Sequence, residues 1–316
     1  MKRLLKKLRS FLLFNIPIRS FIRSFVSFSN RVNRFFSLHW PVYGTISFHL
    51  PAGERVKIYS KGDDFVSTQA YWKGYMGYEG PTIQLFYNIA KCTSTIIDVG
   101  SNVGYFSLIG AAANKQAHVH SFEPVVKIHK RLLRNISING FINIKANQCA
   151  VGNVDEIISF FIPEGNGMVH ASSTKEGWGE KAIRVNVESI TIDKYVKENS
   201  LKKVDLVKMD VEFHESEVLE GMKNVLENDK PIIISEVLFS ESEGVKGHFE
   251  NDIHLKIASS LRAHGYYFYL INATALIRVE QLEYNPDDRN YLFSTKRSEN
   301  IYLPYSNMNE LLRNIL

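Results

Sequence analysis

The sequence predicts a Rossmann-like α/β fold, a mostly parallel sheet with helices on both faces. Three observations carry this. From Thr95 onward, short apolar runs rich in β-branched residues alternate with segments of helical spacing, as in a parallel sheet buried on both sides. The first run leads into a glycine-containing turn, Gly100-Ser101-Asn102-Val103-Gly104, and then a helical segment. A chain of 316 residues with 45% hydrophobic content can bury one main core with extensions.

Taken in order, Thr95–Val99 is the first strand, followed by a helix at about Tyr105–Ala113, a strand at 117–122, a helix at about 125–139 and a strand at about 144–150. Apolar and polar residues alternate over 157–161 and 183–188, which predicts a hairpin insertion around a polar loop containing Ser172, Ser173 and Trp178. The doubly wound pattern resumes with a strand at 204–209, a helix at about 215–226, a strand at 232–236 and a helix near 253–264. Strands at 267–271 and 291–294 close the series.

Upstream, residues 37–90 mix short β-like pieces with the aromatic and glycine-rich stretch Tyr71-Trp72-Lys73-Gly74-Tyr75-Met76-Gly77-Tyr78-Glu79-Gly80-Pro81. The expectation is an extension covering one rim of the main domain and ending in a helix near 82–90. The main domain then spans 91–300, with a tail at 301–316.

The net charge of +5 conceals a segregation. Nine of the 38 Lys and Arg residues lie in residues 1–36, which hold no Asp or Glu, leaving 29 against 33 acidic residues in the body. Apolar residues recur in this arm at helical spacing, interrupted by Asn15, Pro17 and Arg19, so that no run is long enough to span a bilayer or act as a secretory leader. An amphipathic helix on an anionic membrane surface is expected, the alternative being that this face packs on protein. Nucleic acid is not an expected partner, because the basic surplus is confined to the arm. Cys92 and Cys149 form no zinc or redox motif, and a reducing, cytoplasmic setting follows, peripheral to the inner face of the membrane if the arm binds there.

The most informative segment is Ile96-Ile97-Asp98-Val99-Gly100-Ser101-Asn102-Val103-Gly104-Tyr105. A buried strand entering such a turn brings bare backbone near a ligand at the carboxyl edge of the sheet. A dinucleotide site wants G-x-G-x-x-G, whereas the corresponding positions are Gly100, Asn102 and Tyr105, and a carboxylate at Asp98 repels a pyrophosphate. S-adenosylmethionine carries an ammonium and a sulfonium and no phosphate, so Asp98 complements it. Glu123, at the end of the next strand, is placed to accept hydrogen bonds from both ribose hydroxyls, with Pro124 beside it. Ser101 completes the turn, and Cys149, Ala150 and Val151 border the adenine.

The fourth strand delivers Lys208-Met209-Asp210-Val211-Glu212-Phe213-His214-Glu215 to the same edge. Asp210, Glu212 and His214 are the candidates to orient or deprotonate an acceptor hydroxyl, help typically worth about 10² to 10⁴ in rate. Asp210 also borders the cofactor, Glu79 and Glu236 are assigned to the acceptor, and no metal is expected. Glu215 has the alternative of capping the following helix, and His214 that of simple exposure.

Together these stretches resemble the FkbM family of S-adenosylmethionine-dependent methyltransferases. The resemblance runs through Ile97 to Gly104, Phe122-Glu123-Pro124, Asn135 with Asn139, Ala150-Val151-Gly152, Thr191-Ile192-Asp193, Asp210-Val211-Glu212 with Glu215, Leu219-Glu220-Gly221, Pro231 with Glu236, and Asn290-Tyr291-Leu292-Phe293. It implies a class I methyltransferase sheet of seven strands with the last antiparallel, and O-methylation, often of saccharides or glycosylated natural products. One position departs: the family's Asp-Val-Glu-Gly glycine is Phe213 here, a ring expected to narrow or reshape the acceptor pocket. The rival readings are a nicotinamide-dependent oxidoreductase, which the incomplete glycine fingerprint and Asp98 disfavour, and a non-catalytic membrane-surface protein, which the arm and Phe213 favour.

Overall fold

Thr45 to Ser60 alternates inward and outward residues, and the computed structural model folds it as a hairpin of β1 (Tyr43–His49) and β2 (Arg55–Lys61), with Ile46, Phe48, Val56 and Ile58 turned inward. The structure describes residues 40–163, 182–239, 253–283, 285, 287–296 and 301–302. The basic arm at 1–36, the polar loop with Ser172, Ser173 and Trp178, and the tail beyond 302 lie outside the described residues.

Asp64 follows the hairpin and caps α1 (Phe65–Lys73), its Oδ1 accepting the N–H of Ser67 at 2.6 Å. Next comes α2 (Gly80–Ala90), with Pro81 in its first turn. The sequence did not predict α1, because polar Ser67, Thr68 and Gln69 are buried and erase any amphipathic stripe.

The main sheet alternates with helices as expected: β3 (Thr95–Val99), α3 (Tyr105–Ala113), β4 (His118–Phe122), α4 (Val126–Asn139) and β5 (Ile144–Asn147). The predicted strand at 144–150 ends early, and its last residues form β6 (Ala150–Val151), which pairs with β8 (Ala182–Ile190). β8 in turn pairs antiparallel with β7 (Ile157–Pro163), the predicted hairpin insertion. An unpredicted helix, α5 (Ile192–Glu198), capped by Thr191, precedes β9 (Leu206–Met209).

The helix predicted over 215–226 is two helices, α6 (Glu215–Glu220) and α7 (Lys223–Asn228). The break falls at Gly221, where a Cβ would sit 2.0 Å from the carbonyl oxygen of Gly152, so the chain crosses another backbone there. Asp193 restarts the helix by accepting the N–H groups of Asn224 and Val225 at 2.9 and 3.1 Å. The remaining elements are β10 (Ile232–Glu236), α8 (Ile253–Ala263), β11 (Tyr267–Ile271), β12 (Ala275–Val279), β13 (Asn290–Ser294) and β14 (Ile301–Tyr302).

The strand order is β14-β12-β11-β13-β10-β9-β3-β4-β5. Neighbours from β10 to β5 are parallel, and β13 runs antiparallel between β10 and β11. The seven predicted strands are therefore present with the antiparallel last strand, and β12 and β14 extend one edge. One face of the sheet buries Ile96, Val119, Leu206 and Ile234 with Phe86 of α2, Phe106 of α3 and the inner residues of the β1–β2 hairpin in a single core. The buried residues of 40–90 thus share the core of the main domain. The other face buries Ile97, Val207 and Ile233 against α5 to α8.

Two asparagines lock the hairpin to α4. Asn139 receives the N–H of Lys57 at 2.8 Å and donates to its carbonyl at 2.7 Å. One helical turn earlier, Asn135 receives the N–H of Tyr59 at 2.8 Å and donates to the carbonyl of Val103 at 2.8 Å. The spacing of four on the helix matches two on the strand, so side-chain amides continue the ladder where no strand follows.

Candidate active site

At the carboxyl edge of β3, β4 and β9 lies a cleft of about 1010 Å³, open mouth included, at the upper end of the size range of small-ligand pockets. The β3 turn forms its floor. Gly100 and Gly104 both have positive φ, 76° and 92°. Their lack of a side chain serves packing first: a Cβ at Gly100 would sit 1.9 Å from the Asp210 carbonyl oxygen, and one at Gly104 2.5 Å from Leu132. The sequence reading gave both glycines to the ligand. Gly100 does reach the cleft wall, whereas Gly104 stands behind it.

Asp98 and Glu123 face this cleft from adjacent strand ends, 2% and 5% exposed. Asp98 Oδ2 accepts the Ser107 hydroxyl, and Ser107 Oγ lies 2.6 Å from Ser121 Oγ. Burial raises the Asp98 carboxyl to about 6, against the lowering effect of Ser107 and Lys208. Glu123 accepts the N–H of Asn102 at 3.1 Å and that of Val125 at 2.8 Å, and burial raises it to about 7. Asn102, held at φ 49°, lines the cleft, and its buried Oδ1 has no hydrogen-bond partner among the described residues.

Ser101, Tyr105 and Pro124 line the same cleft, as do Cys149, Ala150 and Val151 at one end. At the other end stand Asp210, Glu212 and His214. His214 Nδ1 is 3.6 Å from Glu217 Oε2. Burial opposes charge on its imidazole, but Glu217 and Glu215 outweigh this and raise its pKa. Glu215 Oε1 accepts the N–H of Val211 at 3.4 Å, which ties the loop after β9 to the first turn of α6. Phe213 is not among the described residues that line the cleft.

Glu79 and Glu236, expected to contact the acceptor, are not among the described residues that line the cleft, although Glu79 neighbours Lys208, which does. Glu79 Oε2 is 3.9 Å from Lys208 Nζ, and Glu236 Oε1 is 3.9 Å from Arg289 Nη1. Burial, then Asp210 and Glu79, push the Glu236 carboxyl upward. Sequence reasoning passed over Lys208 and Tyr78, both of which line the cleft. The available signal was a lysine inside Leu206–Met209, a strand buried throughout.

A parallel sheet with a glycine turn and two buried carboxylates at adjacent strand ends defines a Rossmann-like protein of the class I methyltransferase fold. A profile of the Methyltransferase FkbM domain matches residues 98–268, and the chain belongs to the FkbM methyltransferase family. It is 28% identical to methyltransferase sdnD of Sordaria araneosa, over 43% of this chain and 64% of the relative. It is also 28% identical to the hexuronic acid methyltransferase AglP of Haloferax volcanii, over 49% of this chain and 61% of the relative. The chain therefore spans less than two thirds of these curated relatives. Among solved structures, methyltransferase FkbM from Methylobacillus flagellatus superposes with a TM-score of 0.40 at 16% identity, covering 64% of this chain and 43% of that one. An O-methyltransferase from Bacillus cereus in complex with SAH gives 0.40 at 10% identity, covering 71% and 80%.

Proposed function

We propose that this chain is an S-adenosylmethionine-dependent O-methyltransferase acting on a hydroxyl of a saccharide or glycosylated metabolite. The observation that carries the reading is the pair of buried carboxylates, Asp98 and Glu123, facing one cleft on either side of the β3 turn. When bound, the cofactor supplies an electrophilic methyl group on a sulfonium. Glu123 offers its remaining lone pairs to the ribose hydroxyls, since a carboxylate has about four acceptor sites and two are filled. Asp98 and the free Asn102 Oδ1 suit the ammonium end, and Cys149 to Val151 border the adenine. Asp210 and Glu212 orient the acceptor hydroxyl at the far end, where holding it in line contributes more than proton removal. A sugar acceptor draws support from the hexuronic acid methyltransferase among the relatives.

Calorimetry of the full chain with S-adenosylmethionine, its demethylated product and NAD tests this. Binding of the first two alone is expected, and well-folded protein that binds neither would remove the proposal. For the arm at 1–36 the proposal is contact with an anionic membrane surface at the inner face, which liposome flotation with and without those residues measures. Among the described residues no helix is long and apolar enough to cross a membrane.

A further inference from the structure

Lys208 is a buried cation in the middle of the sheet, 1% exposed, register partner of Asp98 on β3, with Nζ 4.8 Å from the centroid of the Phe106 ring. Its ammonium has three N–H donors. One reaches the Met209 carbonyl at 3.3 Å. Glu79 Oε2, at 3.9 Å, is too far for a hydrogen bond to Nζ; the Tyr78 hydroxyl acts on the same carboxylate, but the buried Oε2 itself has no hydrogen bond of good geometry among the described residues. Glu79 also sits in the left-handed region at φ 44°, ψ 51°, and its side chain does not cap α2 although it occupies the N-cap position. Both features disfavour the helix locally, and both turn the carboxylate inward to Lys208.

A buried ammonium with donors to spare and a buried carboxylate oxygen with none want one group that accepts from the first and donates to the second. A hydroxyl does both, whereas a carboxylate or an ether only accepts. Four carboxylates, Glu79, Asp98, Asp210 and Glu236, already act on Lys208, so a further anion is unfavourable there. We propose that Lys208 and Glu79 together read a hydroxyl of the acceptor, which accepts from Lys208 Nζ and donates to Glu79 Oε2. This rests on the methyl-transfer reading and narrows it: the acceptor is neutral at this position, and a hexuronate carboxylate is refused.

The test is a crystal structure of the full chain with S-adenosylhomocysteine, before and after soaking with methyl α-D-glucopyranoside. The expected result is a sugar oxygen within about 3.2 Å of both Nζ and Oε2. Direct contact between the two side chains, or a water that stays between them in the soaked crystal, overturns the proposal. Cofactor occupancy in the same crystal reports separately on the methyl-transfer reading: an empty cradle beside a bridging sugar oxygen faults that reading and leaves this pair standing. In solution, methyl transfer to neutral methyl hexosides, their deoxy analogues and matched hexuronates is compared for wild type, Glu79→Gln, Glu79→Leu and Lys208→Met. S-adenosylhomocysteine affinity is expected within about twofold of wild type in the two Glu79 variants, which also verifies their folding. Glu79→Leu is expected to lose at least about tenfold in kcat/KM for the hydroxyl over the deoxy acceptor, with Glu79→Gln losing less because its amide oxygen still accepts. Unchanged discrimination in Glu79→Leu contradicts the pair, and the crystal decides alone if no glycoside in the panel is methylated.

Discussion

Glu123 Oε2 accepts the backbone N–H of Asn102 at 3.1 Å, so the acidic end of β4 fastens the turn that leaves β3. Its second oxygen takes the N–H of Val125 at 2.8 Å and sets the start of α4. Replacing it leaves two N–H groups without their acceptor in a buried setting. Hydrogen bonds to charged groups contribute roughly 1.5 to 3 kcal/mol each, so Glu123→Ala should cost about 2 to 4 kcal/mol after relaxation. It should also weaken S-adenosylmethionine binding by more than about tenfold. Urea denaturation and calorimetry measure the two effects, and wild-type affinity in this variant would show that Glu123 holds only the turn.

Three buried carboxyls make stability and ligand affinity move oppositely with pH. Burial raises Asp98 to about 6 and Glu123 and Glu215 to about 7. A carboxyl raised on folding binds more protons folded than unfolded, so its contribution is complete below about pH 4 and is lost as pH rises through about 6 to 7. The melting temperature of the unliganded protein should therefore fall between about pH 5 and pH 8. A cationic ligand favours the ionised carboxylates, so its affinity should rise over the same interval with proton release. Calorimetry near pH 6.5 in two buffers of different ionisation heat detects those protons; a flat melting profile together with no release contradicts the assignment.

The parts of this fold that were legible in the sequence are those fixed by local rules. An apolar β-branched run followed by a glycine turn located β3, and Asp98 near its end and Glu123 just past the next strand could be placed at one edge because parallel strands share a direction. What sequence missed was decided by contacts between distant segments. No amphipathic stripe marks α1, whose polar Ser67, Thr68 and Gln69 are buried, and nothing local marks the interruption at Gly221, which exists because Gly152 crosses there. Lys208 passed as part of an apolar strand because its partner Glu79 lies 129 positions away and reaches it only through the packing of α2.

Asn135 is fully buried, and its amide satisfies Tyr59 N–H and Val103 C=O on two different segments. Asn135→Ala orphans both, at roughly 1 to 3 kcal/mol each, so a loss of about 2 to 4 kcal/mol is expected. Asn139→Ala, at a half-buried site, should cost less. Because Val103 belongs to the β3 turn, the first variant should also weaken cofactor binding, while the second should not. Equal effects of the two on affinity would separate the amide ladder from the cleft.

Phe213 occupies a position with φ 74°, directly after Glu212 at φ 51°. Glycine is the residue that adopts such a backbone without cost, which explains physically why a glycine fits the Asp-Val-Glu-Gly pattern at this point. For any other residue the left-handed region costs roughly 1 to 2 kcal/mol. The ring complicates a simple replacement, because Phe213→Gly removes its packing as well as the strain. Comparing Phe213→Gly with Phe213→Ala cancels the ring: both lack it, and only alanine keeps the Cβ. Phe213→Gly should be more stable than Phe213→Ala by about 1 kcal/mol, although glycine is ordinarily the less stable of the two by about that amount in regular structure. Since the ring does not line the cleft, neither variant should change S-adenosylmethionine affinity. Alanine proving the more stable of the two would mean that the loop after β9 does not adopt this left-handed turn in solution.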